Sequence, residues 1–399
     1  MPKLLIISVT CNQGSTGKIA EQVGIIMKEE GWDVYYAHGA RRVSPSQLKT
    51  IPFSSVKTEY LHALKALLFN ADGLGSTRET KKLIEQIKEI KPDVIHIHNI
   101  HGYYLNYKLL FEYLNSTNIP IVLTLHDCWN FTGHCAYFDF ANCEKWKSCC
   151  YECPLIGFSY MSLIDRTKYN YGLKKRLFSN NNNMYIVPVS NWLGNLVEQS
   201  FLKGKSINVI HNGIDLNIFK PYPTENSDKI KILGVSNIWD KRKGLLDFYK
   251  LRESLPVNEF DIFLVGLSQK QIKELPIGID GIERTSNQQE LARIYSKADV
   301  LINPTYADNY PTVNLESIAC GTPVITYRTG GSPESLSEAT GIIVKQGDIK
   351  GLLEAIIKIK NNSDKSKFTP DVCRLHAKQN FDKNKCFREY SNLFKSLIK

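Results

Sequence analysis

Short runs of apolar residues alternate along the chain with stretches whose apolar positions recur every three or four residues. KLLIISV (3–9), a helical stretch over 17–30 and DVYYAHG (33–39) make a strand–helix–strand beginning. Helical periodicity over 80–90 leads into DVIHIHN (93–99), and over 105–114 into IPIVLTLHD (119–127). After a cysteine-rich loop come another helix, the strand MYIVPVS (184–190), a helix over 191–201 and the strand INVIHN (207–212). Strands that are apolar throughout, separated by amphipathic helices, predict a parallel sheet covered on both faces.

The scheme then repeats. KIKILGVSNI (229–238), a helix after Arg242, DIFLVG (261–266), a helix over 288–297, DVLINPT (299–305), a short helix and PVITYR (323–328) read as a second doubly wound sheet. A length of 399 residues agrees, since domains run at about 150 residues each. Between the halves lies PYPTENSDK (221–229), polar and rich in turn formers. The expected division is 1–188 for a first Rossmann-like domain and 189–375 for a second, with a helix over 376–399 packing back on the first. In such folds a ligand belongs at the carboxyl ends of the strands, in the cleft where two domains face each other.

Composition narrows the class. With 43% hydrophobic and 23% charged residues the chain is neither disordered nor a small disulfide scaffold. A net charge of +10 favours an anionic partner. No run of five like charges and no zinc-finger or RNA-binding signature accompanies it, so nucleic acid is not expected. The opening MPKLLIISVT is followed by Asn12, Gln13 and Gly14 rather than a small-residue cleavage site, and no 18 consecutive apolar residues occur. A cytoplasmic chain is expected.

The stretch 299–331, DVLINPTYADNYPTVNLESIACGTPVITYRTGG, carries the most chemistry. A strand ends near Pro304, a loop holds Asp308 and Asn309, Pro311 suits the first turn of a helix and Gly321 its end. The unpaired N–H groups of Thr312 and Val313 would favour a phosphate oxygen by donation and dipole together. Glu316, one turn further in, offers two acceptor oxygens to a ribose diol. Asp308 could grip hydroxyls of a sugar.

An acidic residue, seven intervening residues and a glutamate, followed by ACGTPVI, resembles the family 4 retaining glycosyltransferases. So do HNGIDLNIFKP (211–221), DKRKG (240–244), and TGG before PESL (329–336). The resemblance spans nearly the whole chain and is nearest to bacterial enzymes of capsular polysaccharide, O-antigen or exopolysaccharide synthesis. It implies an α/β GT-B fold of two Rossmann-like domains, a nucleotide-diphosphate-sugar donor and a saccharide or lipid-linked acceptor. Arg242 and Lys243 would then bind the donor diphosphate. The family's usual upstream arginine is absent, Ser236 and Asn237 standing in that region, and Asp308 is shorter than the commoner glutamate. His126, in TLHD, would hydrogen-bond the transferred sugar, and no metal would be obligatory for the chemistry.

NQGSTGK (12–18) joins the first strand to the first helix, but Asn12 and Ile19 stand where a Walker A loop needs Gly and Ser or Thr. Gly14, Thr16 and Gly17 remain candidates for a turn that cradles phosphate or lets a sugar approach the backbone. His96, inside a strand, reads as structural, whereas His98 and His101 could line the acceptor side. Of ten cysteines, five crowd into HCAYFDFANCEKWKSCCYECP (134–154). Cys135, Cys143, Cys150 and Cys153, ending in Cys-x-x-Cys, have spacings that suit a structural zinc closed by four thiolates, against redox-inert packing or a regulatory disulfide. A peripheral membrane contact would follow from the net charge. Two other functions stay open: an epimerase or phosphorylase of the same fold, and a catalytically silent sugar-nucleotide or polysaccharide binding protein.

Overall fold

The apolar runs become parallel strands, and they assort into two sheets. A computed structural model describes residues 1–398 apart from Ser159, Asn226, Ser363 and Lys365. The chain forms two units, Met1–His211 with Phe387–Lys399, and Asn212–Cys386.

In the first unit, β1 (Lys3–Ser8), β2 (Asp33–His38), β3 (Lys49–Pro52), β4 (Val94–Ile97), β5 (Ile121–Leu125), β6 (Met184–Pro188) and β7 (Ser206–Ile207) lie in the order β3-β2-β1-β4-β5-β6-β7, all parallel. Central β4 and β5 are buried at every position, as strands covered on both faces must be. Edge strand β3 is mostly exposed and carries Lys49, paired with Asp33. The covering helices are α1 (Gly14–Glu29), α2 (Val56–Phe69), α3 (Thr77–Ile90), α4 (Tyr107–Leu114), α5 (Thr167–Ser179) and α6 (Asn191–Glu198). Capping fixes where several begin: Asn106 accepts from the N–H of Leu109, and Ser190 from that of Leu193.

In the second unit, β8 (Ile230–Val235), β9 (Phe260–Val265), β10 (Ile279–Ile282), β11 (Val300–Asn303), β12 (Val324–Tyr327) and β13 (Gly341–Val344) lie in the order β10-β9-β8-β11-β12-β13. Its helices are α7 (Leu245–Ser254), α8 (Gln269–Lys273), α9 (Gln288–Lys297), α10 (Thr312–Ala319), α11 (Ile349–Lys360), α12 (Pro370–Asn380) and the start of α13 (Lys383–Leu397). Each sheet contains the Rossmann order, in which strand sequence reverses beside the first strand. Those reversals fall between β1 and β4, and between β8 and β11.

Two expected boundaries need correction. The first domain runs past 188, because β7 pairs with β6 and the N–H groups of Asn208 and Ile210 go to the carbonyls of Ile186 and Pro188. Residues up to Ile210 are thereby stitched to the first sheet. The expected helix over 376–399 is two helices. The break falls at Phe381–Asp382, where Ile214 pairs with the backbone on both sides and Asp382 caps the N–H groups of Asn384 and Lys385. Arg374 on α12 donates to the carbonyls of Leu216, Phe219 and Ala319, which fastens that helix into the second unit. From Phe387 onward α13 belongs to the first unit, where Phe394 meets Trp32 and Tyr390 meets His96. Lys399, the last residue of the expected helix, lies outside the described residues. Among the described residues no helix is long and apolar enough to cross a membrane.

Candidate active site

In the second unit the chemistry gathers where β8, β11 and β12 end, side by side. After β8, Asp240 accepts from the N–H of Lys243 and closes a one-turn 3₁₀ helix, Lys241–Lys243. Gly244 then turns the chain with φ of +74°, and a Cβ there would stand 2.2 Å from the carbonyl oxygen of Pro304, at the end of β11. The turn therefore lies flat against the loop after β11. Arg242 donates to the carbonyl of Ala307 at 2.8 Å, and its own carbonyl accepts from the N–H of Tyr306. Lys243 Nζ meets Asp308 Oδ2 at 2.5 Å, with both side chains largely buried. Burial works against charge on Asp308, but Lys243 and Arg242 override it and hold the carboxyl below its usual range.

Four residues later α10 begins. Pro311 occupies the position before it and gives no side-chain cap, while Thr312 and Val313 are half-buried at its amino end. The helix runs for eight residues, slightly shorter than the sequence predicts. Glu316 accepts from the hydroxyl of buried Tyr295 at 3.0 Å, which fixes the carboxylate one turn inside. Asn309 is buried, and its N–H closes on Asp308 Oδ1. Asn314, which sequence reasoning passed over, is the hub behind them: it accepts from Asn303 and donates to Ser332 and Ser335. Through it the TGG segment is tied to α10. A cavity of about 380 Å³ opens at the opposite, amino-terminal edge of this sheet, lined by Tyr222, Lys231 and Asp299, and holds none of the expected site residues.

Gly244→Ala should lower stability by about 2 kcal/mol or more, because a left-handed backbone and a backbone clash coincide there. Gly14 also has positive φ, +67°, yet nothing lies within 4 Å of its would-be Cβ. Gly14→Ala should cost only about 1 kcal/mol. Urea unfolding of both variants checks the contrast.

In the first unit the turn after β1, His98 after β4 and His126 after β5 leave one carboxyl edge together. Gly14 is exposed and Thr16 half-buried, whereas Gly17 is buried and a Cβ there would sit 2.5 Å from Thr10 Oγ1. Close helix packing accounts for that glycine. His126 Nε2 shares a hydrogen bond of 2.9 Å with His98 Nδ1, and the rings stack at 5.2 Å. His98 and His101 are buried rather than lining an open face. His101 pairs with Asp127 at 3.0 Å and with the Tyr160 hydroxyl at 2.5 Å. The rings of His96 and His98 lie 4.2 Å apart, a proximity with a signal in the sequence, since alternate residues of an extended chain share a side. The link of His98 to His126, 28 residues on, had none.

Burial pulls His126 down to about 4 and His96 to about 3, and lowers His98 as well. These rings are neutral at pH 7. Unfolded histidines titrate near 6.5, so between about 6.5 and 4 the unfolded chain binds more protons and stability falls as pH falls. A thermal midpoint that declines across that window is expected, and a flat profile would contradict neutral burial.

All four cysteines expected to bind zinc line one cavity of about 20 Å³. Cys135 and Cys153 have their sulfurs 3.6 Å apart, and Cys150 Sγ accepts from the N–H of Gly133 at 3.2 Å. Among the described residues, no three His, Cys, Asp or Glu side chains converge closely enough to hold a metal ion as they stand.

Two family models match the chain. Residues 26–218 match glycosyltransferase family 4, and residues 229–362 match glycosyl transferases group 1. The putative colanic acid biosynthesis glycosyl transferase WcaC of Escherichia coli K12 is 25% identical over 305 residues, 72% of either chain. Among solved structures, the sucrose-phosphate synthase of Thermosynechococcus elongatus superposes with a TM-score of 0.73 at 18% identity, covering 100% of this chain and 99% of that one. Anabaena Alr3699/HepE in complex with UDP-glucose gives 0.65 at 14% identity, covering 99% of each.

Proposed function

This chain belongs to glycosyltransferase family 4 and has the GT-B fold, and on that premise we propose a retaining enzyme that uses a nucleotide-diphosphate-sugar donor. The acceptor is a hydroxyl of a saccharide or lipid-linked saccharide, in the building of a bacterial surface polysaccharide. The Lys243–Asp308 pair, set in the loop that opens α10 with Glu316 one turn inside, carries the reading. The colanic acid relative and the UDP-glucose held by the Anabaena protein support it.

Cleavage of a bond from sugar to diphosphate passes through an oxocarbenium-like state, so negative charge grows on the departing phosphate. Lys243, Arg242 and the N–H groups of Thr312 and Val313 meet that charge in preset positions. Glu316 takes the ribose hydroxyls. Asp308 and Asn309 take hydroxyls of the sugar, and His126, as a neutral ring, can donate to one or accept from one. Gly14 and Thr16 belong to the same proposal as backbone and hydroxyl contacts. The acceptor oxygen bonds to the anomeric carbon from the side the diphosphate leaves, and its proton passes to the departing phosphate oxygen. No carboxylate nucleophile and no catalytic metal take part in this scheme, so turnover should be equal with and without added magnesium.

Incubation with a panel of nucleotide sugars and saccharide acceptors tests the reading, with anomeric configuration read by NMR. Retention is expected and inversion would refute the mechanism. Donor binding without turnover would make the chain a binding protein; sugar conversion without acceptor would make it an epimerase or phosphorylase.

A structural zinc at Cys135, Cys143, Cys150 and Cys153 is also proposed, on the ground that one small cavity collects all four thiols. Binding would draw the sulfurs together from their present spacing and clip a loop that holds little regular structure. Metal analysis of purified protein should find about one zinc per chain, lost in Cys150→Ser. Metal-free protein with four titratable thiols would refute it.

A further inference from the structure

Two stranded ring nitrogens in the first unit decide where His126 carries its proton. His96 and His98 are fully buried, and among the described residues His96 Nδ1 and His98 Nε2 meet no hydrogen-bonding group. A neutral imidazole has one N–H and one lone pair, so each ring leaves one or the other without a partner. Buried N–H groups are almost never left so, whereas unused acceptors are tolerated more often.

His96 shows the preference. Its Nε2 lies 2.8 Å from Thr124 Oγ1, and the Thr124 hydroxyl gives its own proton to the Tyr390 hydroxyl. The His96 ring must therefore donate from Nε2, which leaves only a lone pair at its stranded Nδ1.

His98 is the mirror case. With its stranded nitrogen at Nε2, the proton belongs on Nδ1, which faces His126 Nε2 at 2.9 Å. A single proton lies between two facing nitrogens, so His126 Nε2 is the acceptor. Burial keeps both rings neutral at pH 7, and neither gains a second proton. The one proton of His126 is then on Nδ1, because the bond made by one ring nitrogen sets the state of the other. His126 is half-buried at the carboxyl edge of the sheet, and among the described residues its Nδ1 has no partner.

We infer that His98 is a positioning residue whose Nδ1–H fixes His126 in its Nδ1–H form, so that His126 presents a proton and never a lone pair to what binds beside it. That the ligand there is the transferred sugar rests on the function proposed above; the tautomer does not. The choice between donating and accepting, which a neutral ring leaves open, is thereby closed. At that point the sugar must offer a lone pair, as a hydroxyl, an acetamido carbonyl or a carboxylate does, and an ammonium group is turned away.

Long-range ¹H–¹⁵N correlation spectra of the full chain carrying ¹⁵N-labelled histidine test this without any ligand, at about pH 7.5 where an unperturbed histidine is mostly neutral. The peak pattern of a ring tells Nδ1–H from Nε2–H, and the two signals are assigned by their loss in His98→Asn and in His126→Asn. Both rings should be Nδ1–H in the wild type. His126 found as Nε2–H would overturn the inference, as would either ring found charged. Kinetics with the panel of nucleotide sugars add a readout that packing would not move. His98→Leu should lower kcat/KM by about tenfold, and His98→Asn, whose amide N–H can stand in for Nδ1–H, should recover most of that loss. Packing alone predicts the reverse order, since asparagine leaves the larger void, and that order would overturn the positioning role. Should no nucleotide sugar turn over, the transferase reading falls while the spectrum still decides the tautomers.

Discussion

Lys243→Ala should reduce kcat/KM by about 10²- to 10³-fold, the loss expected when one preset charge partner of a developing anion is removed. The ammonium sits 2.5 Å from Asp308 in a largely dry corner. Its removal also leaves the Asp308 carboxylate with one fewer counter-charge, so stability should fall by on the order of 2–3 kcal/mol. The double variant Lys243→Ala/Asp308→Asn separates the two effects. It should recover most of the stability, because no unpaired carboxylate remains, and none of the turnover. If the double variant regained activity, Lys243 would be a structural ion-pair partner and not a contact of the diphosphate. Lys243→Arg should retain a fraction of the rate, since a planar guanidinium keeps the charge and changes its geometry.

Glu316→Ala should cost at least a comparable factor, about 10²- to 10⁴-fold in kcat/KM, because two hydrogen bonds to a charged acceptor are worth about 1.5–3 kcal/mol each. This loss is expected in donor affinity and in discrimination. The wild type should prefer a ribonucleotide to its 2′,3′-dideoxy analogue, and the variant should not distinguish them. Tyr295→Phe provides a graded control: it removes the hydroxyl that holds Glu316 Oε2, so a loss of about tenfold or less is expected. Equal discrimination by wild type and Glu316→Ala would move the ribose elsewhere.

How far the sequence speaks depends on distance along the chain. The β11–α10 stretch was legible because strand, loop, helix and acid lie within twenty residues. Pro311 and Gly321 mark the helix with their own backbone preferences, and the helix found is Thr312–Ala319. The Lys243–Asp308 pair spans 65 residues and the His98–His126 pair 28. Nothing local announces either contact; both come from neighbouring parallel strands ending at one edge. Helix α2 escaped periodicity altogether, since a reader looking for an apolar inward stripe finds Glu59 and His62 there. Polar residues satisfied inside and apolar residues turned outward run against the stripe that periodicity looks for. The first boundary was misread although 207–212 reads as a strand, because which sheet β7 joins is decided by its pairing with β6 and not by its own residues.

Buried polar groups set a second limit. Lys174 has its ammonium on the carbonyls of Trp129 and Thr132, and desolvation pulls it down to about 7. By sequence it is one more lysine on a polar helix. The same holds for Asn314, whose three partners come from β11 and the segment after β12. Neither residue type nor spacing tells a hub from a surface amide. Tertiary contact decides it.

Calorimetric titration of the wild type and Lys243→Ala with a panel of nucleoside diphosphates, and with the matching nucleosides, addresses the diphosphate cradle most directly. The wild type should bind at least one diphosphate far more tightly than its nucleoside, and Lys243→Ala should lose most of that difference while still binding the nucleoside. Undiminished diphosphate affinity in Lys243→Ala would place the pyrophosphate away from the α10 amino end and contradict the account.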